Sequence, residues 1–511
     1  VNPSYRPTKC YEVRGGVGVG WGIGFILKTK LMKKEILIVI LALIGLCSHA
    51  TNPVLTTKEK PRVIVLTDIS SNAGDPDDKQ SLVRFLLYAN EFDVEGLIAT
   101  SACIRRNNPT GEPSPNEIVE RVKAYGQVLP NLKLHSDGYP SEEYLLSIIR
   151  KGMLTGRKPG SSSNANGWSI EETIGENKDT EASKLIIQSI DKNDERPLWI
   201  CVWGGPMDLA QALWRILKDR SAKEVEKSTS KLRVYAWGHQ DLGGQWIRDN
   251  FPELFYINST GGIIYNVDPY LRSVNWLETH VREDHGALGK LYPIRDPGIG
   301  EGDTETYLGL IPNGLSFMEH PDWGGWGGRM KKDVADPNMW VDLTLEKSYK
   351  DATAFERLKS EEHSTIDRWA PEFQNDFQAR MDWCVKDFKH ANHPPQVVVN
   401  GDSTLAPTYY TAKAGEKIIF DAGLSNDPDG DLLFYHWFVY DEVSTVKDVQ
   451  ITHEKKSSSQ QEGYGSKTPE WEKAVVTLPA DQTGVLHLIL ACTDYGYPAL
   501  TRYRRIFITV E

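Results

Sequence analysis

The sequence predicts an α/β unit, a mainly parallel sheet with flanking helices, followed by an all-β sandwich. Three observations carry that prediction. The first is a strand, loop, helix, strand unit. Residues 63–66 form a continuous apolar run and a polar loop extends to Asp78. Leu82, Phe85, Leu86 and Ala89 then recur at helical spacing within 79–92, and a second strand-like run follows at 94–99. The second is repetition of that order: runs at 197–203 and 232–237 each lead through a Gly-rich turn into a helical stretch, at 209–217 and 245–249. Alternation of this kind builds a parallel sheet with helices on both faces. The third is a change of style past Pro394-Pro395. Short β-rich runs at 397–399, 417–420, 433–439, 474–478, 485–491 and 505–510 are separated by polar turns, as in a β-sandwich of about a hundred residues.

Composition bounds the rest. A chain of 511 residues with 40% hydrophobic and 25% charged residues is long enough for two folded domains, which excludes disordered and fibrous classes. With 58 Lys+Arg against 70 Asp+Glu, a net charge of −12 and no basic stripe, a nucleic-acid partner is disfavoured. Met32-Lys33-Lys34, an apolar run at 36–46 and then Ser48-His49-Ala50 have the order of a secretory signal, so export is expected, with a mature start near Thr51. Residues 1–31 read as lying ahead of the true start. The run is shorter than the roughly 20 residues of a membrane-spanning helix, so no membrane span is expected. An anchored N-terminus is the alternative; Cys47 suggests lipid attachment, although Leu46 before it is bulky. The expected layout is a leader and signal peptide at 1–50, a linker at 51–60, the α/β domain at 61–394 and the sandwich at 395–511. Cys103, Cys201, Cys384 and Cys492 are widely spaced without a CxxC pair, which offers no zinc site and leaves buried free thiols as the expectation.

In open parallel sheets the ligand crevice lies beyond the carboxyl ends of the strands, so the loops at 67–78, 203–208 and 237–244 should carry the chemistry. Regions 151–180 and 286–328 read as long loops over that face. The most informative string is Thr67-Asp68-Ile69-Ser70-Ser71-Asn72-Ala73-Gly74-Asp75-Pro76-Asp77-Asp78, with four carboxylates in eleven residues between a strand end and a helix start. Their repulsion calls for a compensating charge, and a hard divalent ion with oxygen ligands, Ca2+ or Mg2+, supplies it. Capping of the following helix is the alternative for Asp77 and Asp78, but one Asp would suffice for that. His239, in Trp237-Gly238-His239-Gln240-Asp241 just past a strand, and His285 are candidates for protonating a leaving group; a structural role is the alternative for each. Trp323 and Trp326, set among glycines in 321–329, offer flat faces for sugar rings or else pack in a loop-rich core. Arg368-Trp369, Asp376, Arg380 and Trp383, on an expected helix at 369–387, read as structural packing with ion pairs.

Two resemblances sharpen the reading. The acidic turn Asp427-Pro428-Asp429-Gly430-Asp431 with Tyr435-His436-Trp437 resembles the polycystic-kidney-disease-type and related immunoglobulin-like modules of secreted bacterial enzymes; the turn could hold calcium, or need no ion. A hydrophobic strand, an Asp, a loop and an Asp-Asp pair opening a helix resembles the calcium motif of nucleoside hydrolases. Phe92-Asp93-Val94-Glu95-Gly96-Leu97-Ile98-Ala99-Thr100, Trp203-Gly204-Gly205-Pro206, Glu301-Gly302-Asp303-Thr304, Pro312-Asn313-Gly314-Leu315 and Trp326-Gly327-Gly328-Arg329 resemble more closely a secreted bacterial family of cellulose-binding proteins with a nucleoside-hydrolase-like domain, over roughly 61–395.

That resemblance implies a calcium ion held by loop aspartates and one carbonyl, with an Asp deprotonating water. Carried over, Asp68, Asp78, Asp303 and the Trp203 carbonyl would form the metal site. Asp77 would bind a sugar hydroxyl; Glu301, Asn313, Trp323 and Trp326 would line the substrate. The superfamily usually carries a further Asp at the position of Ser70, so the base is displaced, and Asp75 is the nearest substitute. Asp75, Asp77 and His239 are therefore the catalytic candidates. The implied function is cleavage of the glycosyl bond of a saccharide or glycoside. The alternatives are a non-catalytic cellulose- or polysaccharide-binding protein that keeps the hydrolase fold and, thirdly, a true nucleosidase.

Overall fold

The computed structural model describes residues 60–70, 76–100, 112–154, 168–259, 269–294, 300–352, 364–453 and 472–511. The expected leader, Cys47, Cys103, Asp75 and most of the 51–60 linker lie outside the described residues. Eight strands form the first sheet: β1 (Arg62–Thr67), β2 (Asp93–Ala99), β3 (Ile149–Lys151), β4 (Leu198–Val202), β5 (Leu232–Trp237), β6 (Phe255–Ser259), β7 (Met330–Lys332) and β8 (Met339–Asp342), in the order β3-β2-β1-β4-β5-β6-β8-β7. The pairings are parallel except β7 with β8. β1 and β4 are buried along their whole length, which is why they read as unbroken apolar runs. Alternate side chains feed two cores. Val63, Val65, Cys201 and Tyr235 pack under the Asp77–Leu87 and Pro115–His135 helices. Ile64, Leu66, Ile200 and Val234 pack under Glu181–Ile190, Met207–Asp219 and Leu242–Asn250. Among the described residues no helix is long and apolar enough to cross a membrane.

Seven strands follow: β9 (Thr408–Ala412), β10 (Lys417–Asp421), β11 (Leu433–Val439), β12 (Gln450–His453), β13 (Lys473–Thr477), β14 (Gly484–Asp494) and β15 (Thr501–Val510). They make a three-stranded sheet, β10-β13-β12, and a four-stranded one, β11-β14-β15-β9, closed over Phe420, Trp437, Val476, Leu488 and Ile506. The expected strand at 397–399 is reduced to isolated bridges, Gln396 to Asn426 and Val399 to Asp402. In the acidic turn, Asp427 Oδ1 accepts the amides of Asp429 and Asp431, while the Asp429 carboxylate faces the His393 amide at 2.7 Å and its Nδ1 at 2.9 Å. Cys201, Cys384 and Cys492 are free and buried, and burial pushes the thiols of Cys201 and Cys492 up to about 12, where they are unreactive.

The sandwich is riveted to the first sheet's loops through β15. Tyr440, Ile489 and Tyr503 belong to the same buried cluster as Trp326 and Trp369. The buried Arg505 guanidinium donates to the carbonyls of Leu315 (3.0 Å), Gly324 (2.8 Å) and Trp323 (3.3 Å) and meets His487 Nδ1 at 3.1 Å. Burial lowers Arg505 to about 10, which leaves it charged at neutral pH. Burial and the Arg505 charge lower His487 to about 3, which keeps it a neutral acceptor. Arg505→Met leaves those carbonyls buried without donors and is expected to cost about 2–4 kcal/mol, read as a lower urea midpoint at unchanged m-value.

Candidate functional site

The site begins where β1 stops. Thr67 Oγ1 donates to Asp78 Oδ1 at 2.5 Å and accepts the Ile69 amide at 3.1 Å, so the strand end fixes the Asp78 carboxylate. Asp77 Oδ1 accepts the Asp78 amide at 3.1 Å. Both acids occupy the first turn of the Asp77–Leu87 helix, which has no side-chain N-cap, and there they also complement the helix dipole.

The same helix presents a second, polar stripe at 77, 80, 81, 84 and 88, and this stripe docks the segment carrying Asp303. Gln80 donates to the Pro293 carbonyl (2.8 Å) and accepts the Gly300 amide (3.0 Å). Ser81 Oγ and Thr304 Oγ1 are hydrogen-bonded at 3.0 Å, and the Ser81 carbonyl accepts from the Tyr307 hydroxyl at 3.0 Å. Arg84 makes a bidentate pair with Glu301, at 2.5 and 3.2 Å, and donates to Gln374 Oε1 at 2.7 Å. Burial works to lower the Arg84 pKa, but the Glu301 charge beside it, with Tyr292 and Tyr307, holds it above its ordinary value. The Ser81 and Arg84 contacts are buried away from water, and those of Gln80 are part-buried.

The result is a group of three: ligand oxygens of Asp77, Asp78 and Asp303 all lie within 4.8 Å of one another. Two oxygens on opposite sides of a calcium ion, each about 2.4 Å from it, are about 4.8 Å apart, so the spacing fits that ion. The donors are hard oxygens with no thiolate or imidazole, which favours calcium or magnesium over zinc. Asp78 and Asp303 are buried and Asp77 is partly exposed, so the group has a closed side and an open one. Gly302 keeps the approach clear: a Cβ there would come within 3.4 Å of both Asp77 Oδ2 and Trp237 Nε1, which puts an indole next to the carboxylates.

The other sequence candidates are placed elsewhere. Asp68 is outside the group of three; it is buried against the turn after β4, where a Cβ on Gly204 would meet its own Cβ at 2.7 Å. Trp203 is fully buried, and its carbonyl accepts Gln240 Nε2 at 2.5 Å. His239 follows the left-handed Gly238; its ring lies edge-on to Tyr256 and Tyr349 and over Gly244. His285 is buried, with Nε2 3.3 Å from Asp382. Glu301 and Asn313 are corrections: both are fully buried and committed to structure. Glu301 pairs with Arg84, Tyr292 and Thr304, while Asn313 Oδ1 accepts the amides of Leu315 and Ser316 and its carbonyl accepts the Tyr503 amide. The two tryptophans are corrections as well. Trp326 is fully buried between Phe373 and Tyr503. Trp323, half-buried, stacks on His320 (3.8 Å, 5°) and leans on Phe507 (4.2 Å, 49°), so both indoles are engaged in packing. Sequence reasoning missed Thr67, Gln80, Ser81, Arg84, Trp237 and Thr306. The available signal was the polar spacing of 77, 80, 81, 84 and 88, opposite the apolar stripe of the same helix.

With this geometry in hand, comparison with known proteins gives a consistent picture. Residues 62–330 match the family described as cellulose-binding Sde182, nucleoside hydrolase-like domain, and residues 417–510 match the C-terminal domain of cellulose-binding protein Sde0182. A solved structure of a nucleoside hydrolase-related hypothetical protein from Saccharophagus degradans, described as associated with carbohydrate metabolism, is 34% identical. The alignment covers 89% of this chain and all of that one, with a TM-score of 0.71. An endo-fucoidan hydrolase of glycoside hydrolase family 107 aligns at 9% identity over 88% of this chain and 67% of its own, with a TM-score of 0.14, and informs nothing further. No curated protein matches. The chain therefore belongs to the Sde182 family of cellulose-binding proteins, with a nucleoside-hydrolase-like α/β domain followed by the family's C-terminal β domain.

Proposed function

We propose that this chain is an exported hydrolase of glycosyl bonds in a saccharide or glycoside, working with a bound divalent cation, calcium by the chemistry of its donors. The observation that carries the reading is the convergence of Asp77, Asp78 and Asp303 at the carboxyl edge of a parallel sheet. Asp78 and Asp303, buried and braced by Thr67 and by the polar stripe of the helix, would hold the ion; Asp77, partly exposed, would meet a sugar hydroxyl. When bound, the ion would polarise sugar hydroxyls and a water molecule. A carboxylate of the 68–78 loop, Asp75 on the sequence pattern, would take the proton of that water. The Trp237 indole brings its Nε1 edge close to the same spot as the Asp77 carboxylate. The cellulose-binding description of the family and the carbohydrate association of the S. degradans relative support a carbohydrate ligand.

A second reading is a polysaccharide-binding protein without turnover. Ser70, standing where the superfamily usually has an Asp, favours it. A panel of glycans and nucleosides, assayed with and without chelator, separates the two. Chelator-sensitive release of reducing sugar supports the hydrolase, whereas retention on insoluble glycan without release supports the binder. Asp77→Ala is expected to abolish turnover while the protein stays folded, because the hydrogen bond it loses is local to the first helical turn. Normal cleavage by that variant would remove Asp77 from the mechanism.

A further inference from the structure

Trp203, though outside the acidic group, is hydrogen-bonded to both of the segments that carry it. Its amide donates to the Leu66 carbonyl at 2.7 Å, one residue before Thr67, which grips Asp78. Its indole Nε1 donates to Thr306 Oγ1 at 2.8 Å, and that hydroxyl in turn donates to the main-chain carbonyl of Asp303 at 2.8 Å. An indole N–H can only donate, so the Thr306 hydroxyl must receive from Trp203 and pass its single hydrogen to Asp303; both bonds have one possible direction. Trp203 and Thr306 are fully buried, and the indole is wedged against Phe85 and Tyr307. The third anchor is the Trp203 carbonyl, held by Gln240 from beyond the end of β5. Asp303 itself sits in the single turn Gly302–Thr304, which runs directly into the short Glu305–Leu308 helix that carries Thr306.

We propose that Trp203 is a positioning residue whose indole, acting through the Thr306 hydroxyl, holds Asp303 in place relative to Asp78 and thereby sets the affinity of the site for its cation. This rests on the reading of the acidic group as a cation site. The ligand oxygens lie within 4.8 Å of one another, close enough for one calcium ion at oxygen distances of about 2.3–2.6 Å to span them. A main chain released from the Trp203–Thr306 rail would let Asp303 drift, which weakens the hold on the ion. Partners of metal ligands typically change affinity 10- to 100-fold when removed.

The test is calorimetric titration of the full chain, stripped with chelator, with Ca2+ and separately with Mg2+, for wild type, Trp203→Phe, Thr306→Val and Thr306→Ser. Trp203→Phe and Thr306→Val are each expected to weaken calcium about tenfold. Thr306→Ser, which keeps the hydroxyl, should stay within about twofold of wild type. A loss confined to general stability would lower melting temperatures in chelator without changing calcium affinity, and that result overturns the proposal. So does wild-type calcium affinity in either folded variant. Should Thr306→Val fail to fold, Trp203→Phe, which keeps the ring packing, decides alone. A wild-type chain that takes up neither ion would instead overturn the cation site itself, an outcome distinct from both.

Discussion

Replacing Asp303 with asparagine is expected to reverse sign between two conditions: the variant melts at or above wild type in chelator and below it in calcium. In the ion-free protein three carboxylates share a space in which their oxygens lie within 4.8 Å of one another. Two unit charges that far apart, at an effective dielectric constant of about 20, repel by about 3 kcal/mol, so removing one relieves a strain the fold otherwise carries. Asparagine keeps the shape of the buried side chain and one of its oxygens. In calcium the balance inverts. A ligand present at a hundred times its dissociation constant stabilises by about 2.7 kcal/mol, and a site short of one carboxylate forfeits most of that gain. Differential scanning fluorimetry with and without calcium reads both arms. Equal stabilisation of variant and wild type by calcium would show that Asp303 holds no ion, and an equal drop in both conditions would mark a purely structural residue.

How far this site could be read from the sequence depends on what each residue's neighbours are. β1, β2, β4 and β5 were legible because strands buried on both faces are continuous apolar runs. β15 was legible only in its second half: the first half of Thr501–Val510 carries Arg502, Arg504 and Arg505, a polar signature, yet the structure buries all three, Arg502 and Arg505 in contacts that cross the seam and Arg504 against Asp402 and Ala406. β3, β7 and β8 are three or four residues long and carry no periodicity to detect. The helix expected at 79–92 is displaced to Asp77–Leu87 with a separate turn at Ala89–Glu91, which draws both acids into its first turn. The acidic character of the site was visible as four Asp in eleven residues, and Asp303 in a recognisable string. Which carboxylates share a centre was not, because this follows from side-chain direction at a strand end, where Asp68 faces Gly204 instead. The glycines around Trp323 and Trp326 suggested exposure but serve close packing: a Cβ on Gly327 would meet the Gly309 Cα at 2.8 Å, and one on Gly324 would meet the Tyr440 hydroxyl at 2.5 Å.

Asp376→Ala is expected to be among the most damaging single changes away from the acidic site. The sequence placed Asp376 and Arg380 on a helix held by ion pairs, and the Ala370–Asp382 helix buries both. Asp376 Oδ1 accepts from the Tyr88 hydroxyl (2.8 Å) and Arg380 Nε (3.1 Å), and Oδ2 accepts from an Arg502 guanidinium nitrogen (2.7 Å), so one carboxylate joins the first helix region, its own helix and β15. Its removal leaves two guanidinium groups with little solvent and no shared counter-ion, a loss of about 3–5 kcal/mol. Acid should act the same way. Burial raises the Asp376 pKa, but Arg502 and Arg380 outweigh it and hold the carboxyl below its ordinary value. The stability it contributes is therefore complete above the unfolded value of about 3.9 and is lost as pH falls through the lower folded one. Urea unfolding of wild type and Asp376→Asn from neutral pH down to pH 3 should show the two curves converging in acid; parallel curves would remove Asp376 from the acid response. Because Arg502 belongs to the sandwich and Tyr88 to the α/β domain, Asp376→Ala should weaken both together. A variant in which the α/β transition stays put while the sandwich alone melts earlier would mean that the two are joined by the chain and not by this buried network.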